Sequence, residues 1–308
     1  MQKVATVILH YKGAKNTLEC LESLEKVNLS KETNLEIVVV DNASTDGLPS
    51  AISNFQFPIS NLKLIKNEEN LGFAEGNNVG IRYALKNGAD YVLVLNNDTI
   101  VDKGLIEELL KVSRSDSKIG IVAPKIYFAP GFEFHKDRYA KKDLGRVFWY
   151  AGGAMDWDNI IGHHRGVDGV DHGQYDKTEE TSFSSGCCMF IKKEVFGKVG
   201  LFDKKYFLYY EDADLSKRVK KAGYKIIYKP SAVIWHKNAG SAGGSGSVLQ
   251  DYYISRNRLL FGFRYASTRS KIALVKESLS VLLRGRYWQR RGVLDFYFMR
   301  FGKGSFEI

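Results

Sequence analysis

Over the first 125 residues, short β-branched runs alternate with segments whose apolar residues recur at helical spacing. Few arrangements other than a parallel sheet joined by crossover helices satisfy that alternation. Residues 4–10, 35–40, 62–65 and 91–95 read as strands one to four. Between them lie one helix with Leu18, Leu21 and Leu24 on a single face, and another over 73–85 that stops at Asn87-Gly88, a C-terminal signal. A further helix over 103–112 buries Leu105, Ile106, Leu109 and Leu110, and 119–124 reads as a strand. The rhythm then breaks. Residues 127–180, rich in Gly, Asp, His and aromatics, read as a loop-and-hairpin insertion near a site. Regular structure resumes over 186–192, with a helix over 211–222 ended by Gly223 and strands over 225–228 and 232–235. A Gly/Ser/Ala loop, flexible by composition, follows over 239–247, with two or three helices beyond it.

Charge and cysteine usage narrow the classes further. Of a net charge of +10, the residues from Asp251 onward supply +8, with 12 Lys and Arg against 4 Asp and Glu. Here the cations alternate with Leu, Phe, Tyr and Trp, a pattern closer to an amphipathic surface helix than to a nucleic-acid arm. A solvated helix face packed on the main domain fits the same pattern. Three cysteines, two of them adjacent at Cys187 and Cys188, form neither a disulfide framework nor a zinc pair, which points to a reducing, cytoplasmic compartment. The opening residues read as a first strand rather than a leader, and no run approaches the roughly 20 apolar residues of a membrane span.

In open α/β sheets ligands gather beyond the carboxyl ends of the strands. All four N-terminal strands end in polar residues: His10-Tyr11, then 41–47 beginning Asp41-Asn42, then 67–72 including Asn70 and Gly72, then Asn96-Asn97-Asp98. Asp, Asn and Gly are also common turn formers. Asp98 is placed where a divalent cation, Mg or Mn, could use its carboxylate, although a turn or cap explains Asn-Asn-Asp equally. In the helix over 211–222, Asp212 shares a stripe with Leu215, Val219 and Ala222, so an acid lies in line with core-facing residues. Helix capping is its other reading. Asp214 differs, since Arg218 at i+4 makes it a local ion pair on another face. His236 closes a strand and is either structural or a ligand. Lys237, Arg256 and Arg258 flank the Gly-rich loop, as simple surface charge or as cations for a diphosphate.

The segments VVVDNASTDG (38–47), NLGFAEGNN (70–78), LNND (95–98), GLFD (200–203) and FLYYEDADL (207–215) together resemble the family 2 glycosyltransferases, most of all the rhamnosyltransferase-type members that build bacterial cell-surface polysaccharides. The resemblance runs from the N-terminus to about residue 265. It implies a GT-A fold, a nucleotide-diphosphate sugar donor, a divalent metal and inversion at the anomeric carbon. Tyr11 and Asp41 would contact the nucleotide, while Asn70, Gly72, Asn77 and Asn97 would line the donor pocket, with Arg256 near the diphosphate. Asp98 and His236 would hold the metal. In the acidic pair Glu211-Asp212, Asp212 would be the base. Asn96 departs from the pattern, standing where the first acid of Asp-x-Asp is expected. On this reading 1–247 is the catalytic domain, with a nucleotide-binding half over 1–100 and an acceptor half over 101–247, and 248–308 is a basic amphipathic helical tail. The acceptor is a saccharide or lipid-linked saccharide, the tail touches the inner face of the membrane, and nucleic acid is excluded. A sugar nucleotidyltransferase would carry a glycine-rich basic loop after strand one, which His10-Tyr11-Lys12-Gly13-Ala14 is too sparse to supply; a catalytically silent glycan-binding or scaffold module would not need the Glu-Asp pair.

Overall fold

The computed structural model describes residues 1–54, 61–238 and 246–307. Its core is a ten-stranded sheet flanked by helices. β1 (Gln2–His10), β2 (Thr33–Asp41), β3 (Leu62–Lys66) and β4 (Tyr91–Asn96) are the four anticipated strands, all parallel in the order β4-β1-β2-β3. They are joined by α1 (Ala14–Glu25), α2 (Leu48–Asn54) and α3 (Gly72–Lys86). In β1, β2 and β4 the runs of Val, Ile and Leu are buried on both faces, as expected of strands covered by helices on each side, while β3 at the sheet edge is only half-buried.

After β5 (Thr99–Val101) and α4 (Leu105–Ser115) comes β6 (Ile119–Phe128), buried along its whole length. The insertion follows, with β7 (Phe148–Tyr150), the hairpin β8 (Gly153–Asp156) and β9 (Ile161–His164), and the short β10 (Glu179–Glu180). A polar staple fixes it. Lys125, in the middle of β6 and 4% exposed, holds Asp171 at 2.8 Å and Asp176 at 2.5 Å, and the Tyr127 hydroxyl donates to Asp171. A buried lysine is tolerable only when paired in this way. β11 (Cys188–Lys192) then runs antiparallel between β4 and β6, followed by α5 (Lys193–Val199) and α6 (Glu211–Lys221).

The two strands anticipated over 225–228 and 232–235 are one strand, β12 (Lys225–His236), parallel to β6 with a register shift between Lys229 and Val233. Pro230 in that gap has no N–H for the ladder, so the pairing slips without the strand ending. Of the flexible loop read over 239–247, residues 239–245 lie outside the described residues.

Three helices complete the chain: α7 (Val248–Tyr265), α8 (Thr268–Arg284) and α9 (Tyr287–Tyr297). Ser267 caps α8 by accepting from the Ser270 N–H, which splits the long amphipathic pattern in two. α7 is no surface helix. Leu259, Leu260 and Phe261 pack with Tyr206, Ala213 and Ile160, joining it to α6 and the insertion hairpin. No helix of the described residues is long and apolar enough to cross a membrane.

Candidate active site

The carboxyl edge of β1, β2 and β4 is knitted by side chains. His10, fully buried, contacts the Thr17 hydroxyl at 2.8 Å through Nδ1 and Asp46 at 3.0 Å through Nε2. Asn97 donates to the same Thr17 hydroxyl at 2.9 Å, so its amide serves the loop framework. Asp41 is buried and accepts from the Ser44 N–H at 2.9 Å, and Tyr11 stands half-buried beside it at the end of the neighbouring strand. Asn42 ties the end of β2 to the loop after β3, donating to Asn70 at 2.8 Å and accepting from Asn67 and the Leu71 N–H at 3.0 and 3.1 Å. Asn70 accepts in turn from the Gly72 N–H at 2.9 Å. Asn77 is fully buried, with its Oδ1 lacking a partner among the described residues.

Asp98 and His236, 138 residues apart in the chain, meet because β5 pairs antiparallel with the end of β12, setting His236 opposite Thr99. The His236 Nε2 lies 3.1 Å from the Asp98 Oδ1, and the Lys237 N–H donates to the Asp98 carbonyl at 2.9 Å. Both side chains are nearly buried, and the second ring nitrogen of His236 has no partner among the described residues. No group of three or more His, Cys, Asp or Glu with metal-ligand geometry occurs among those residues. The pair alone therefore offers one carboxylate and one imidazole, which fits a cation completed by phosphate oxygens and water and does not fit a closed all-protein site. Trp149 of β7 packs edge-on against His236 at 4.6 Å and against His164 at 4.4 Å, bringing the insertion up to this edge.

Glu211 and Asp212 open α6. The Asp212 carboxylate accepts from the Ala213 N–H at 2.7 Å and from the Gly186 N–H, in another segment, at 2.9 Å. Next to Gly186, the Cys187 carbonyl accepts from the Asn96 N–H at 2.9 Å. One backbone turn thus links Asp212 to the strand end that carries Asp98. Gly186 makes a close fit there: a Cβ would sit 3.1 Å from the tip of the Phe73 ring, which would have to yield by a few tenths of an ångström, and 3.5 Å from the Asp212 Cβ, an ordinary contact. Burial raises the Asp212 pKa, and the two backbone N–H groups oppose the rise. Burial, then the neighbouring Asp212 charge, pushes Glu211 well above the carboxylate range, and its Oε2 has no partner among the described residues. A neutral Glu211 beside an ionised Asp212 is the arrangement that avoids two buried charges.

Asp214 makes the expected pair with Arg218 at 2.7 Å, and its carboxylate is fully buried there, where it also accepts from Tyr206, Tyr265 and Arg264. The cations flanking the Gly-rich loop are committed elsewhere. Arg256 is completely buried, its guanidinium donating to the carbonyls of Lys205, Tyr206 and Arg300 and to Asn257. That removes it from the diphosphate role, since a charge sealed against carbonyls has no face left for a ligand. Arg258 forms a bidentate pair with Glu277, and Lys237 is held by Glu19 and Asn16 of α1. Gly186 and Trp149 escaped the sequence reading; the small-residue run Ser184-Ser185-Gly186 before a strand was the available signal for the first.

A mostly parallel sheet with polar strand ends, an Asp-His pair at its carboxyl edge and an acidic helix start beside it has the GT-A architecture of nucleotide-diphospho-sugar transferases. Among solved structures it is similar to a mannosyltransferase from Pyrobaculum calidifontis in complex with GDP-Man and Mn2+, with a TM-score of 0.58 and 18% identity over 98% of this chain and 76% of that one. S. aureus TarS 1-349 in complex with UDP-GlcNAc gives a TM-score of 0.59 at 15% identity, over 96% and 79% of the two chains. At such identities the likeness concerns the fold. The glycosyl transferase family 2 model matches residues 6–200, and the chain belongs to that family, a family of glycosyltransferase enzymes. Its relatives include the N-acetylglucosaminyl-diphospho-decaprenol L-rhamnosyltransferase of Mycobacterium tuberculosis, 29% identical over 71% of this chain and 72% of the relative. The dTDP-rhamnosyl transferase RfbF of Shigella flexneri is 25% identical over 75% and 71%.

Proposed function

We propose that the chain is an inverting glycosyltransferase that moves a sugar from a nucleotide-diphosphate donor to a saccharide or lipid-linked saccharide, in the synthesis of a cell-surface polysaccharide. The observation that carries this reading is the Asp212 carboxylate, fixed by the Gly186 N–H beside the strand end that bears Asp98. In the reaction Asp212 takes the proton of the acceptor hydroxyl as its oxygen attacks the anomeric carbon, on the face opposite the leaving diphosphate. A single displacement needs one base and one stabilised leaving group, and it inverts the centre. Glu211, its carboxyl pushed well above the usual range by burial, leaves Asp212 as the member of the pair that carries the charge. Asp41 and Tyr11 border the nucleotide end, and Asn70, Gly72 and Asn77 the donor pocket. Asp98 and His236 would hold a divalent cation, Mg or Mn, whose charge when bound offsets that of the departing diphosphate. Rhamnose as the sugar draws support from the rhamnosyltransferase relatives.

A lipid-linked acceptor agrees with the outer face of the C-terminal helices. On α8, Ile272, Leu279 and Leu283 face away from the body, the last 81% exposed, and Phe298 and Met299 beyond α9 are 66% and 77% exposed. Arg269, Lys276 and Arg284 are exposed on the same helix and Arg290 on α9, while of the acids of this layer Glu277 pairs with Arg258, Asp251 with Arg286 and Asp295 is buried with Ser305, with Glu307 exposed. Exposed apolar side chains on helices that also expose cations suit the headgroup region of an anionic bilayer. On this reading L283E/M299E loses binding to vesicles containing phosphatidylglycerol, and unchanged co-sedimentation counts against it.

The central test is transfer by Asp212→Asn over a panel of nucleotide sugars, with the anomeric configuration of the wild-type product read by NMR. Loss of transfer with donor binding kept, and an inverted product, is the expected result. Normal turnover by the variant, or retention of configuration, refutes the assignment.

A further inference from the structure

The backbone immediately before the acidic pair is contorted. Phe207, Tyr209 and Tyr210 have φ of 62°, 68° and 73°, in the left-handed region that side-chain-bearing residues, bulky ones above all, rarely adopt. Such a conformation persists only when its surroundings over-determine it. Tyr210 is moreover the residue from which α6 starts, and no side chain caps that helix. The direction of Glu211 and Asp212 is therefore set by the backbone of this segment.

The restraint comes from α7, about fifty residues further along the chain. The Asn257 amide nitrogen donates to the carbonyls of Tyr206, Leu208 and Tyr209 at 2.8, 2.7 and 2.9 Å, two N–H bonds shared among three acceptors. Arg256 determines which end of that amide faces the segment. Its Nε donates to the Asn257 oxygen at 3.0 Å, turning the amide nitrogen toward the carbonyls, and its Nη2 reaches the Tyr206 carbonyl at 3.0 Å. From the other side the Phe73 and Ala74 N–H groups at the start of α3 donate to the Phe207 carbonyl at 2.6 and 3.2 Å. The Phe207 ring lies flat on Tyr253 of α7, with centroids 5.1 Å apart. Arg256 and Asn257 are both fully buried, and none of these contacts belongs to the helix ladder.

We propose that Asn257, oriented by Arg256, is a positioning residue of the transferase: through the 206–210 segment it fixes the start of α6 and so aims the Asp212 carboxylate. The C-terminal helix α7 is then part of the catalytic unit and not an appendage beyond residue 247. The proposal rests on the reading of Asp212 as the base.

Asn257→Asp tests it, because the shape is kept while the donating nitrogen becomes an oxygen facing three carbonyls. Wild type and variant, as full chains, are compared in two arms. The first is amide exchange by mass spectrometry over residues 184–187, which Asn257 does not touch and where the Gly186 N–H reports the Asp212 contact. The second is turnover of UDP-, GDP- and dTDP-linked sugars. The proposal expects Gly186 to exchange about tenfold faster or more, and kcat to fall on the order of a hundredfold while the donor KM stays within about twofold, as a misaimed base would give. Unchanged exchange at Gly186 in the folded variant, or a rise in KM with kcat kept, overturns it. Should Asn257→Asp fail to fold, Asn257→Ser, which retains one donor, gives intermediate values in both arms, and values equal to wild type overturn the proposal. If wild type turns over none of the sugars, the transferase reading fails, and the exchange arm still decides the role of Asn257.

Discussion

His164 is a histidine that the fold holds neutral, and its replacement makes a quantitative prediction. The ring lies against Trp149, Tyr150 and Phe183, with Nδ1 3.2 Å from the Trp149 carbonyl, and burial lowers its pKa from 6.5 to about 4. The folded value lies below the unfolded one, so between the two the unfolded chain binds more protons. The stability held above pH 6.5 is then lost as the pH falls toward 4. With those two values, moving from pH 7.5 to pH 5.0 removes about 2 kcal/mol through this residue alone. In His164→Asn the amide nitrogen takes the place of Nδ1 toward the carbonyl, and no group titrates. Urea unfolding of both proteins at pH 7.5 and pH 5.0, in a chelating buffer, measures the effect. The variant loses ring packing at both pH values, so the informative quantity is the change in the gap between the proteins: wild type gives up about 2 kcal/mol more than His164→Asn on acidification. A gap that changes by less than about 0.5 kcal/mol refutes the claim that His164 is held neutral.

Three further outcomes follow from the site and its support. Glu211→Gln should raise stability relative to wild type increasingly from pH 5 to pH 8, because the raised pKa of Glu211 means that its ionisation opposes folding; denaturation midpoints across that range check the sign. Asp214→Asn leaves Arg218 and Arg264 facing a neutral group inside the protein and should cost about 3 kcal/mol, read by urea unfolding at pH 7.5, with a loss under about 1 kcal/mol contradicting the network. Asp98→Asn should weaken Mn2+ uptake in the presence of UDP or GDP on the order of tenfold, followed by paramagnetic resonance, since an amide oxygen is the poorer cation ligand.

Periodic and local features were legible in the sequence. β1 to β4, α3 and α4 could be read because each has its own apolar rhythm, and because Gly88, at a φ of 80°, stops α3 where its type indicates. Asp98 and His236 were legible for a similar reason, each closing an apolar run at the carboxyl edge. Contacts decided between distant segments were not legible. Arg256 sits among Leu, Phe and further arginines, so a local window reads it as surface charge; the carbonyls that bury it lie near residue 206 and in the last turn after α9. Gly186 was invisible for the same reason, since its close fit between Phe73 and Asp212 is decided by segments far away in the chain. β5 is only three residues long, too short for a period of two to stand out, yet it is the strand that brings Asp98 to His236.

The staple at Lys125 bears on how the insertion could change over evolutionary time. The anchors of the insertion are Lys125 and Tyr127 on the sheet with Asp171 and Asp176 at its far end, and the hairpin 153–164 lies between, outside that bonded set. The hairpin is tied instead to the C-terminal helices, Ile160 packing with α7 and accepting from Tyr210 while the Asn159 carbonyl accepts from Arg258. A lineage that keeps the four anchors can therefore vary the outward positions, such as Ile161 and His163, without disturbing the strand beneath.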